Sequence, residues 1–583
     1  MELLNIKING REVSAPSGST ILEAARLANI DIPSLCYMKG INEIGACRIC
    51  VVEVKGAKSL VAACVYPINE GMEVWTNTHK VLQARKKTLQ LMLSNHKKDC
   101  LACVRSGNCE LMELCRQYGV DDAHLYDGEM TPSEVDESAV HMIRDNSKCI
   151  LCRRCVAVCK ETQGIGVIGA NARGFATHIG SAFEMGLGET SCVSCGQCIA
   201  VCPTGALREK DFTEEVFAAL NDPEKVVLVQ TAPAVRAALG ECFGLPIGTD
   251  VQGKMAAALR QLGFDKVFDT NFAADLTIME EANELVERVQ NGGVLPMITS
   301  CSPGWIKYCE HYYPEMIPHL STCKSPQQMF GAIAKSYWAE KMGVDPEKIV
   351  MVSVMPCTAK KFEIGRPDEA ANGMPDVDIA ITTRELGRMI QKAGIRFLDL
   401  PDEPFDHPLG SGTGAAVIFG ATGGVMEAAL RTAVETITGE TLGKLDFTEV
   451  RGVQGVKEAS YTVGGLTVKV AVASGLANAS ALLDKVKSGE ADYTFIEIMG
   501  CPGGCVNGGG QPQVPYGIRN FVDIRAERAK VLYDLDASNP IRKSHENPDI
   551  QELYASYLGK PGSEKAHHLL HTSYVARTVN PKF

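Results

Sequence analysis

Cysteine grouping constrains this chain more than any other feature, because its 583 residues include 23 cysteines that fall into closely spaced sets. Thiols in runs of three or four with two-residue gaps are typical of metal ligands in a large intracellular chain, whereas disulfide frameworks prevail in small secreted domains. A chain of this length also exceeds what one hydrophobic core supports. We therefore predict several domains that hold metal centres.

The first set predicts a 2Fe–2S domain over residues 1–78. Its four cysteines have the spacing C-x10-C-x2-C-x13-C and are Cys36, Cys47, Cys50 and Cys64. The surrounding segment contains an Asn-Gly hairpin signal and a capping box from Thr20 to Glu23, which predict a β-grasp, ferredoxin-like fold. Plant-type ferredoxins have a tighter first gap, although the ligand logic is the same. The alternative is a set of ordinary buried thiols.

A second set lies in residues 79–140, after a predicted helix. It has the spacing H-x3-C-x2-C-x5-C and comprises His96, Cys100, Cys103 and Cys109. Three thiolates and one imidazole also suit zinc, so the local pattern does not fix the metal. Cys115 falls outside the spacing and is predicted to be a buried or free thiol.

Two repeated runs predict a ferredoxin domain with two 4Fe–4S clusters over residues 141–210. Each run reads C-x2-C-x2-C-x3-C, as in bacterial ferredoxins, where the fourth cysteine of each run binds the other cluster. We assign the first cluster to Cys149, Cys152, Cys155 and Cys202, and the second to Cys192, Cys195, Cys198 and Cys159. Zinc clips are a weak alternative at this spacing.

Residues 211–583 alternate short β-branched runs with helical stretches, which predicts a large α/β domain with parallel strands. Ligands of such sheets bind beyond the carboxyl ends of the strands. Cys301, Cys357 and Cys501 each follow a predicted strand, and Cys505 comes one glycine-rich turn later. We expect these thiols to meet at one edge of the sheet. The alternative is a set of buried core thiols with a turn-forming glycine tract.

Three segments resemble the signature loops of iron-only (FeFe) hydrogenases: TSCSPGW (299–305), MPCTAKKFE (355–363) and EIMGCPGGCVNGGGQP (497–512). The resemblance implies the catalytic subunit of a cytosolic, NAD(P)-linked enzyme that interconverts protons and dihydrogen, and it leaves electron bifurcation open. It implies an H-cluster, which is a 4Fe–4S cubane joined to a di-iron unit with CO, cyanide and azadithiolate. One 2Fe–2S cluster and three further 4Fe–4S clusters, one of them at His96, would relay electrons.

The resemblance also implies roles for individual residues. Cys357 and Cys501 would hold the cubane, Cys505 would bridge it to the di-iron unit, and Lys360 would donate to a cyanide. The remaining cavity residues would surround the di-iron unit: Pro233 and Ala234 of TAPAVR, Gln327, Met355 and Met499. The family often has serine where this chain has Ala234, which leaves only the backbone amide there.

A proton relay is implied through Glu281, Ser321 and Glu284. The two glutamates are three residues apart, so on a helix they share one face; a solvated acidic face is the ordinary alternative. The first loop departs from the family pattern TSCCPxW, because Cys301 stands at the relay position and Ser302 at the ligand position. Since thiolates bind iron–sulfur clusters more readily than hydroxyls, we predict Cys301 as the ligand. Ser302 or a water would then be the first proton donor.

Composition and motifs limit the partners. A net charge of −12 argues against nucleic-acid binding, and neither a signal peptide nor a membrane-spanning run is recognisable, so a cytoplasmic location is expected. No dinucleotide-binding glycine motif follows a strand, which predicts that NAD(P) and flavin sites lie on partner subunits. The resemblance implies a small iron–sulfur subunit and ferredoxin as further partners. The C-terminal stretch from residue 524 is predicted to be helical and mostly solvent-facing.

Two other functions compete with this interpretation. The first 210 residues also resemble the large iron–sulfur subunit of NADH:quinone oxidoreductases, but the three hydrogenase loops follow where a molybdopterin-type domain would stand. A non-catalytic or sensory relative would retain the fold without turnover, and the altered first loop is compatible with it. Retention of Lys360, Glu281, Glu284 and Ser321 argues for catalysis.

Overall fold

The N-terminal domain of the computed structural model, which describes residues 2–131, 133–371, 373–443, 445–463 and 465–579, is a five-stranded mixed sheet covered by one helix. Its sheet order is β2-β1-β5-β3-β4. The elements are β1 (Leu3–Ile8), β2 (Arg11–Pro16), α1 (Ile21–Leu27), β3 (Val51–Val54), β4 (Val61–Ala62) and β5 (Glu73–Trp75). Asn9 and Gly10 both have positive φ between β1 and β2, as an Asn-Gly hairpin turn requires. The Thr20–Glu23 capping box begins α1 as predicted.

A helical segment and a ferredoxin-like domain follow. The segment contains α2 (His79–Ser94) and α3 (Glu110–Gln117). The ferredoxin-like domain contains β6 (Val135–Asp136), β7 (Met142–Asp145), α4 (Arg154–Ala157), β8 (Gly169–Asn171), β9 (His178–Gly180), α5 (Gln197–Val201) and β10 (Leu207–Glu209). Its strands form a β10-β7-β6 sheet and a β8-β9 hairpin. Each short helix begins inside one of the two cysteine runs.

The C-terminal domain contains two four-stranded sheets instead of the single predicted sheet. The first is fully parallel, with order β12-β11-β14-β15, and the second has order β13-β18-β17-β16 with an antiparallel β16–β17 pair. The strands are β11 (Val226–Thr231), β12 (Lys266–Asp269), β13 (Met297–Ile298), β14 (Ile349–Met355), β15 (Ile379–Thr382), β16 (Val456–Val463), β17 (Leu466–Ser474) and β18 (Phe495–Met499). The one-sheet prediction was wrong because the alternating pattern does not reveal which strands pair.

Helices cover and separate these sheets. They are α6 (Thr213–Leu220), α7 (Pro233–Arg236), α8 (Gln252–Leu262), α9 (Asn271–Asn291), α10 (Pro303–Tyr312), α11 (Pro326–Ile333), α12 (Ala339–Met342), α13 (Lys360–Glu363), α14 (Thr383–Lys392), α15 (Gly414–Val417), α16 (Gly424–Thr438), α17 (Leu476–Ser488), α18 (Tyr516–Arg519), α19 (Ile524–Ser538), α20 (Pro548–Leu553) and α21 (Glu564–Leu570). The longest, α9, is buried over most of its first half.

The C-terminal helices are part of the domain core, so the prediction of a mostly solvent-facing stretch was wrong. Ile550, Leu553 and Leu570 are fully buried and join the hydrophobic cluster around Phe272 and Phe330. Charged residues alternate with the apolar residues of these helices. For this reason the sequence pattern did not indicate a buried face. Among the described residues, no helix combines the length and apolar character needed to cross a membrane.

Candidate iron–sulfur centres and active site

Three loops of the C-terminal domain bring cysteines to one buried cavity. Cys301 and Cys501 follow β13 and β18, which are neighbouring strands of the second sheet. Cys357 follows β14 of the first sheet. These three side chains and Cys505 line the same cavity. All four thiols therefore meet in space, with strand ends from both sheets contributing.

The cavity wall also contains most of the other side chains named by the family resemblance. They are Pro233, Ser302, Gln327, Met355, Lys360 and Met499. Ala234 is fully buried immediately after Pro233, and its carbonyl oxygen accepts a hydrogen bond from Gln511 Nε2 at 2.8 Å. The backbone at Ala234 is thus fixed from the third loop, although its side chain offers no polar group.

Lys360 supplies a cation to the cavity. Its Nζ contacts both carboxylate oxygens of Glu363 at 2.8 and 3.1 Å, and it donates to Ser325 Oγ at 2.8 Å. Burial disfavours the charged ammonium, but the attraction of Glu363 outweighs it and raises the pKa of Lys360. Glu363 and Ser325 were missed in the sequence because only the folded loops show that they hold this lysine.

Glycines hold the third loop against the second. A Cβ on Gly508 would lie 2.1 Å from the carbonyl oxygen of Pro356, and one on Gly504 would lie 2.7 Å from the backbone nitrogen of Thr422. Gly504 also has a φ of +94°. Backbone-to-backbone contact of this kind is open only to glycine. The glycine tract therefore fixes the approach of Cys501 and Cys505 to Cys357.

The buried thiols suit a cationic metal cluster. Burial raises the pKa of Cys357 and Cys501, and it raises the pKa of Cys505 to about 12, with neighbouring thiolates adding to the shifts of Cys501 and Cys505. Such thiols stay protonated until a metal displaces the protons, because a coordinated thiol is deprotonated outright. The donor set thus fits iron ligation and has no evident use without it.

The spacing of the thiols argues against single zinc ions. Thiolates bound to one zinc at about 2.3 Å would lie within about 4 Å of each other. Among the described residues, three groups of ligand-type side chains place all their donor atoms within 4.8 Å of one another, and none includes a cysteine of the predicted centres. In the described part of the chain, no predicted set therefore brings three of its ligand atoms as close together as one tetrahedral zinc ion would.

Cys301 and Ser302 face different neighbours. The backbone N–H of Gly500 donates to Ser302 Oγ at 3.1 Å, which places the hydroxyl beside the third loop. Burial raises the pKa of Cys301, and the next contributions come from Glu281 and Cys505. Cys301 thus lies on the side of the predicted proton relay. Its ligation of the cubane stays a prediction, because both side chains line the cavity.

The predicted relay residues lie near one another around α9. Glu281 and Glu284 lie on α9, and Ser321 Oγ donates to Glu284 Oε2 at 2.9 Å. Glu281 is buried, and neither of its carboxylate oxygens has a hydrogen-bond partner among the described residues. Burial, followed by repulsion from Glu284, raises the pKa of Glu281 to about 8. A carboxyl group with this pKa can both take up and release a proton near neutral pH.

The ferredoxin-like domain contains a second cysteine-lined cavity. Its walls include the four thiols assigned to the second cluster, Cys159, Cys192, Cys195 and Cys198. The same cavity is lined by His141, which is buried and has no hydrogen-bond partner on either ring nitrogen in the described part of the chain. Burial lowers the pKa of His141 to about 3. No sequence pattern had indicated a role for this neutral imidazole.

The four thiols assigned to the first cluster are mutual neighbours. Cys202 contributes to the electrostatic environment of Cys149, Cys152 and Cys155. Leu151 and Arg153 have positive φ within the first run, and Ser194 and Gly196 repeat this at the same positions of the second. Three of these four are not glycine, so each run holds a strained conformation that persists only when its surroundings enforce it. The repeated backbone shape fits a cluster at each run.

The two N-terminal cysteine sets differ in exposure. In the first, Cys50 Sγ and Cys64 Sγ are 3.3 Å apart, and Cys36 contacts both Cys47 and Cys64. All four of these thiols are buried.

In the second set, Cys100 is exposed, whereas Cys103 and Cys109 are half-buried. His96 is buried, with no hydrogen-bond partner on Nδ1 among the described residues, and burial lowers its pKa. A neutral imidazole of this kind is available as a ligand.

Direct contacts join both N-terminal cysteine sets to the ferredoxin-like domain. Asn42 Nδ2 donates to the carbonyl oxygens of Cys36 and Cys152, at 2.8 and 3.1 Å. Cys109 Sγ lies 3.7 Å from the carbonyl oxygen of Pro203, next to Cys202. Both N-terminal sets therefore contact segments that carry thiols assigned to the first ferredoxin cluster.

The second ferredoxin run contacts the loops that line the cysteine-containing cavity of the C-terminal domain. Thr358 Oγ1 donates to the carbonyl oxygen of Ser194 at 2.8 Å, and Gln197 Nε2 donates to that of Asn507 at 2.9 Å. Cys501 also contributes to the electrostatic environment of Cys195. The junction thus places the last relay thiols beside the catalytic loops.

Known protein families match nearly the whole chain. Residues 225–509 match "Iron only hydrogenase large subunit, C-terminal domain", and residues 522–577 match "Iron hydrogenase small subunit". Upstream, residues 2–79 match a 2Fe-2S iron-sulfur cluster binding domain, residues 85–124 the NADH-ubiquinone oxidoreductase-G iron-sulfur binding region, and residues 128–206 a 4Fe-4S dicluster domain. The small-subunit match covers the segment that contains the C-terminal helices α19 to α21.

Individual relatives agree. The chain is 54% identical to NADP-reducing hydrogenase subunit HndD of Solidesulfovibrio fructosivorans, over 99% of this chain and all of that one. It is 46% identical to iron hydrogenase 1 of Clostridium pasteurianum, over 98% of this chain and 99% of the other. Its structure resembles an apo [FeFe]-hydrogenase HydA1 variant from Chlamydomonas reinhardtii, with 46% identity, a TM-score of 0.57, and coverage of 64% of this chain and 100% of that one.

Proposed function

The chain belongs to the iron-only hydrogenase family, and from that premise we propose how its own residues perform hydrogen oxidation and proton reduction. The observation that carries the proposal is the buried cavity in which Cys357, Cys501 and Cys505 meet opposite Lys360, with Glu281 leading away from it. When bound there, the H-cluster supplies the redox chemistry. The protein supplies ligation, a water-poor wall and a proton route.

Cys357, Cys501 and Cys505 are the proposed cysteine ligands. Met355, Met499, Gln327 and the backbone at Pro233 and Ala234 shape the rest of the cavity. Lys360 is proposed to donate to an anionic group of the cofactor, because Glu363 keeps it charged inside the protein. These assignments rest on the shared cavity and on the family register together.

The contacts of the first loop favour Cys301 as the inner end of the proton relay. Its electrostatic neighbours are Glu281, Cys505 and Lys360. Cys301 therefore stands between the Glu281 carboxyl group and the cofactor cavity, where a proton donor is needed. Ser302 then stands beside the third loop at the fourth cubane position. We propose that protons pass between Cys301, Glu281, Ser321 and Glu284, and that the ion pair with Arg288 at 2.6 Å holds the Glu284 carboxylate near the surface.

We propose an electron route with two branches. The 2Fe–2S centre at Cys36, Cys47, Cys50 and Cys64 and the His96 centre each contact the first ferredoxin cluster. The second ferredoxin cluster then contacts the catalytic loops. This arrangement requires one 2Fe–2S and three 4Fe–4S clusters besides the H-cluster. Two branches would let two donors or acceptors, such as ferredoxin and an NAD(P)-linked flavin subunit, use one active site.

Two measurements test this proposal. The anaerobically purified chain, matured with its di-iron unit, is expected to evolve hydrogen from a reduced viologen dye and to show infrared bands of iron-bound CO and cyanide. The same preparation is expected not to oxidise NADH unless flavin-bearing partner subunits are added. A matured chain with the infrared bands but no hydrogen turnover would contradict the catalytic proposal, and rapid NADH oxidation by the isolated chain would contradict the division between subunits.

A further inference from the structure

A compact set of unlike donor groups lies at the outer end of the proposed relay. Donor atoms of Glu284, Cys323 and His571 all lie within 4.8 Å of one another. Cys323 and His571 face each other across an antiparallel backbone bridge, which joins the relay loop to the C-terminal segment. Carboxylate, thiolate and imidazole are the three protein ligand types of zinc. None of the cluster assignments uses Cys323 or His571.

The measured sulfur–oxygen separation matches that between two ligands of one tetrahedral ion. Zinc binds sulfur at about 2.3 Å and carboxylate oxygen at about 2.1 Å, so tetrahedral angles place these two ligands about 3.6 Å apart. Cys323 Sγ and Glu284 Oε2 are 3.7 Å apart. The pair therefore needs almost no movement to share an ion.

His571 is oriented as metal-binding histidines are. Its Nε2 lies 3.2 Å from Glu280 Oε2, and the same carboxylate accepts bonds from the Gly562 N–H at 2.9 Å and from the Tyr554 hydroxyl. A carboxylate on the far nitrogen fixes the ring and strengthens the near nitrogen as a ligand. That near nitrogen, Nδ1, lies 2.7 Å from the Thr322 hydroxyl, a neutral partner that an ion can displace.

We propose that Glu284, Cys323 and His571 form a binding site for a thiophilic divalent cation, Zn²⁺ or Cd²⁺, with Glu280 as its positioning residue. The binding step releases the Cys323 thiol proton to solvent and replaces the Glu284–Arg288 ion pair with a metal–carboxylate bond. Burial, with Glu284 next, raises the pKa of Cys323, so the metal must displace this proton. The partly exposed Glu284 provides the way in.

The consequence rests on the proposed function, because Glu284 is the outer carboxylate of the proposed relay. An ion there would withdraw both the carboxylate and the adjacent Ser321 contact from proton transfer. Turnover would fall while the cofactor cavity, which contains neither Cys323 nor His571 among its lining residues, stays unchanged. The site would act as a metal-sensitive stop on proton delivery.

The experiment uses the matured holoenzyme under anaerobic, chelator-free conditions, with Cd²⁺ as the spectroscopic probe and Zn²⁺ as the second ion. Wild type is compared with Cys323→Ala, His571→Asn and Glu280→Gln. Cys309→Ala is the control for loss of a buried thiol, and His567→Asn for loss of the exposed ring that stacks on His571. Cd²⁺ uptake, cadmium–thiolate absorption, dye-driven hydrogen evolution relative to each metal-free variant, and the infrared bands are measured.

Wild type and both controls are expected to bind one more Cd²⁺ per chain than Cys323→Ala or His571→Asn. In Glu280→Gln the Cd²⁺ affinity is expected to fall about tenfold. Chelator-reversible inhibition with unchanged infrared bands is expected only where the ion binds. Equal uptake and equal inhibition in wild type, Cys323→Ala and His571→Asn would overturn the site. Binding at the site without inhibition would support the site and overturn the relay role of Glu284. Absence of turnover in metal-free holoenzyme would overturn the proposed function, and the uptake comparison would still decide the site.

Discussion

The relay domains and the catalytic domain hold iron ligands in opposite ways. In the ferredoxin-like domain, all eight proposed ligand cysteines lie between Cys149 and Cys202, on two neighbouring runs whose backbone has positive φ at matching positions. In the catalytic domain, the thiols lie between Cys301 and Cys505, on loops from two different sheets. The difference shows that a relay centre is encoded locally, whereas the catalytic cavity exists only when the whole domain has folded.

The surroundings of the His96 centre and of the catalytic cavity also differ in exposure. Cys100 of the relay is exposed, and the His96 centre has lysines nearby. The catalytic domain buries Glu281 and Lys360 almost completely. Burying ionisable groups costs free energy unless they are paired or neutralised. Lys360 is paired with Glu363, whereas burial raises the pKa of Glu281 and favours its protonated form, as the proposed relay role needs.

The largest predicted effect contrasts one ligand from each region. Cys357→Ala is expected to abolish hydrogen turnover and the infrared bands of the di-iron unit, because the cavity loses a thiolate from the only loop that the first sheet contributes to the cysteine set. Its signals from the relay clusters in electron paramagnetic resonance should persist. Cys100→Ser is expected to change only the His96-centre signal and to leave most dye-driven turnover.

That contrast would break if Cys357→Ala also erased the ferredoxin signals, since the relay would then depend on the catalytic cavity. Iron content per chain provides the accompanying check, with a larger loss expected for the catalytic variant. The dye must reduce the ferredoxin clusters directly, which the partial exposure of Cys149 and Cys192 permits.

The second prediction separates Cys301 from Ser302. Cys301→Ala is expected to lower turnover by about 10²- to 10⁴-fold, the usual contribution of a positioned proton donor, while the cubane and infrared signals persist. Ser302→Ala is expected to alter the cubane signal and to retain more turnover. The reverse pattern, with cubane loss in Cys301→Ala, would restore Cys301 as the fourth ligand.

The sequence predicted features that depend on nearby residues and missed those that depend on distant segments. Ligand spacing predicted the cysteine sets, and the Thr20–Glu23 pattern predicted the helix cap. Both features depend on residues that are close together in the chain. It did not reveal that β13 and β14 belong to different sheets, nor that the helices after Ile524 are buried, because both depend on pairing between distant segments. Partners such as Glu363 carry no local signature and become visible only through their hydrogen bonds.

The third prediction concerns the contact between the two regions. A Cβ on Gly509 would lie 2.2 Å from the carbonyl oxygen of Cys195 and 2.7 Å from the Cα of Gly196. Gly509→Ala is therefore expected to lower the free energy of unfolding by about 1–3 kcal/mol, as overpacking does, and to slow electron transfer from the ferredoxin clusters. Gly517→Ala, where nothing lies within 4 Å of the added carbon, is the matched control.

Denaturant unfolding monitored by cluster absorption measures the first effect, and the reoxidation rate of the relay clusters under proton-reducing conditions measures the second. If both quantities are equal in the two alanine variants, the contact between Gly509 and Cys195 can shift without a loss of stability or of electron-transfer rate. Close packing of Cys195 against the third loop would then not be what sets the distance between the second ferredoxin cluster and the H-cluster.

The smallest predicted effect lies at the outer junction of the relay. Asn42 is buried and ties Cys36 to Cys152 through two carbonyl oxygens, so Asn42→Ala leaves both acceptors unpaired. The cost is expected to be about 1–3 kcal/mol and to fall on the docking of the N-terminal domain. Asn171→Ala, which removes a bond to the Ser181 carbonyl within one domain, is the control. Limited proteolysis should release the N-terminal domain faster only in Asn42→Ala, with dye-driven turnover retained in both. Release at wild-type rates would mean that hydrophobic contact between Cys36, Cys47 and Cys152 joins the two domains without help from this amide.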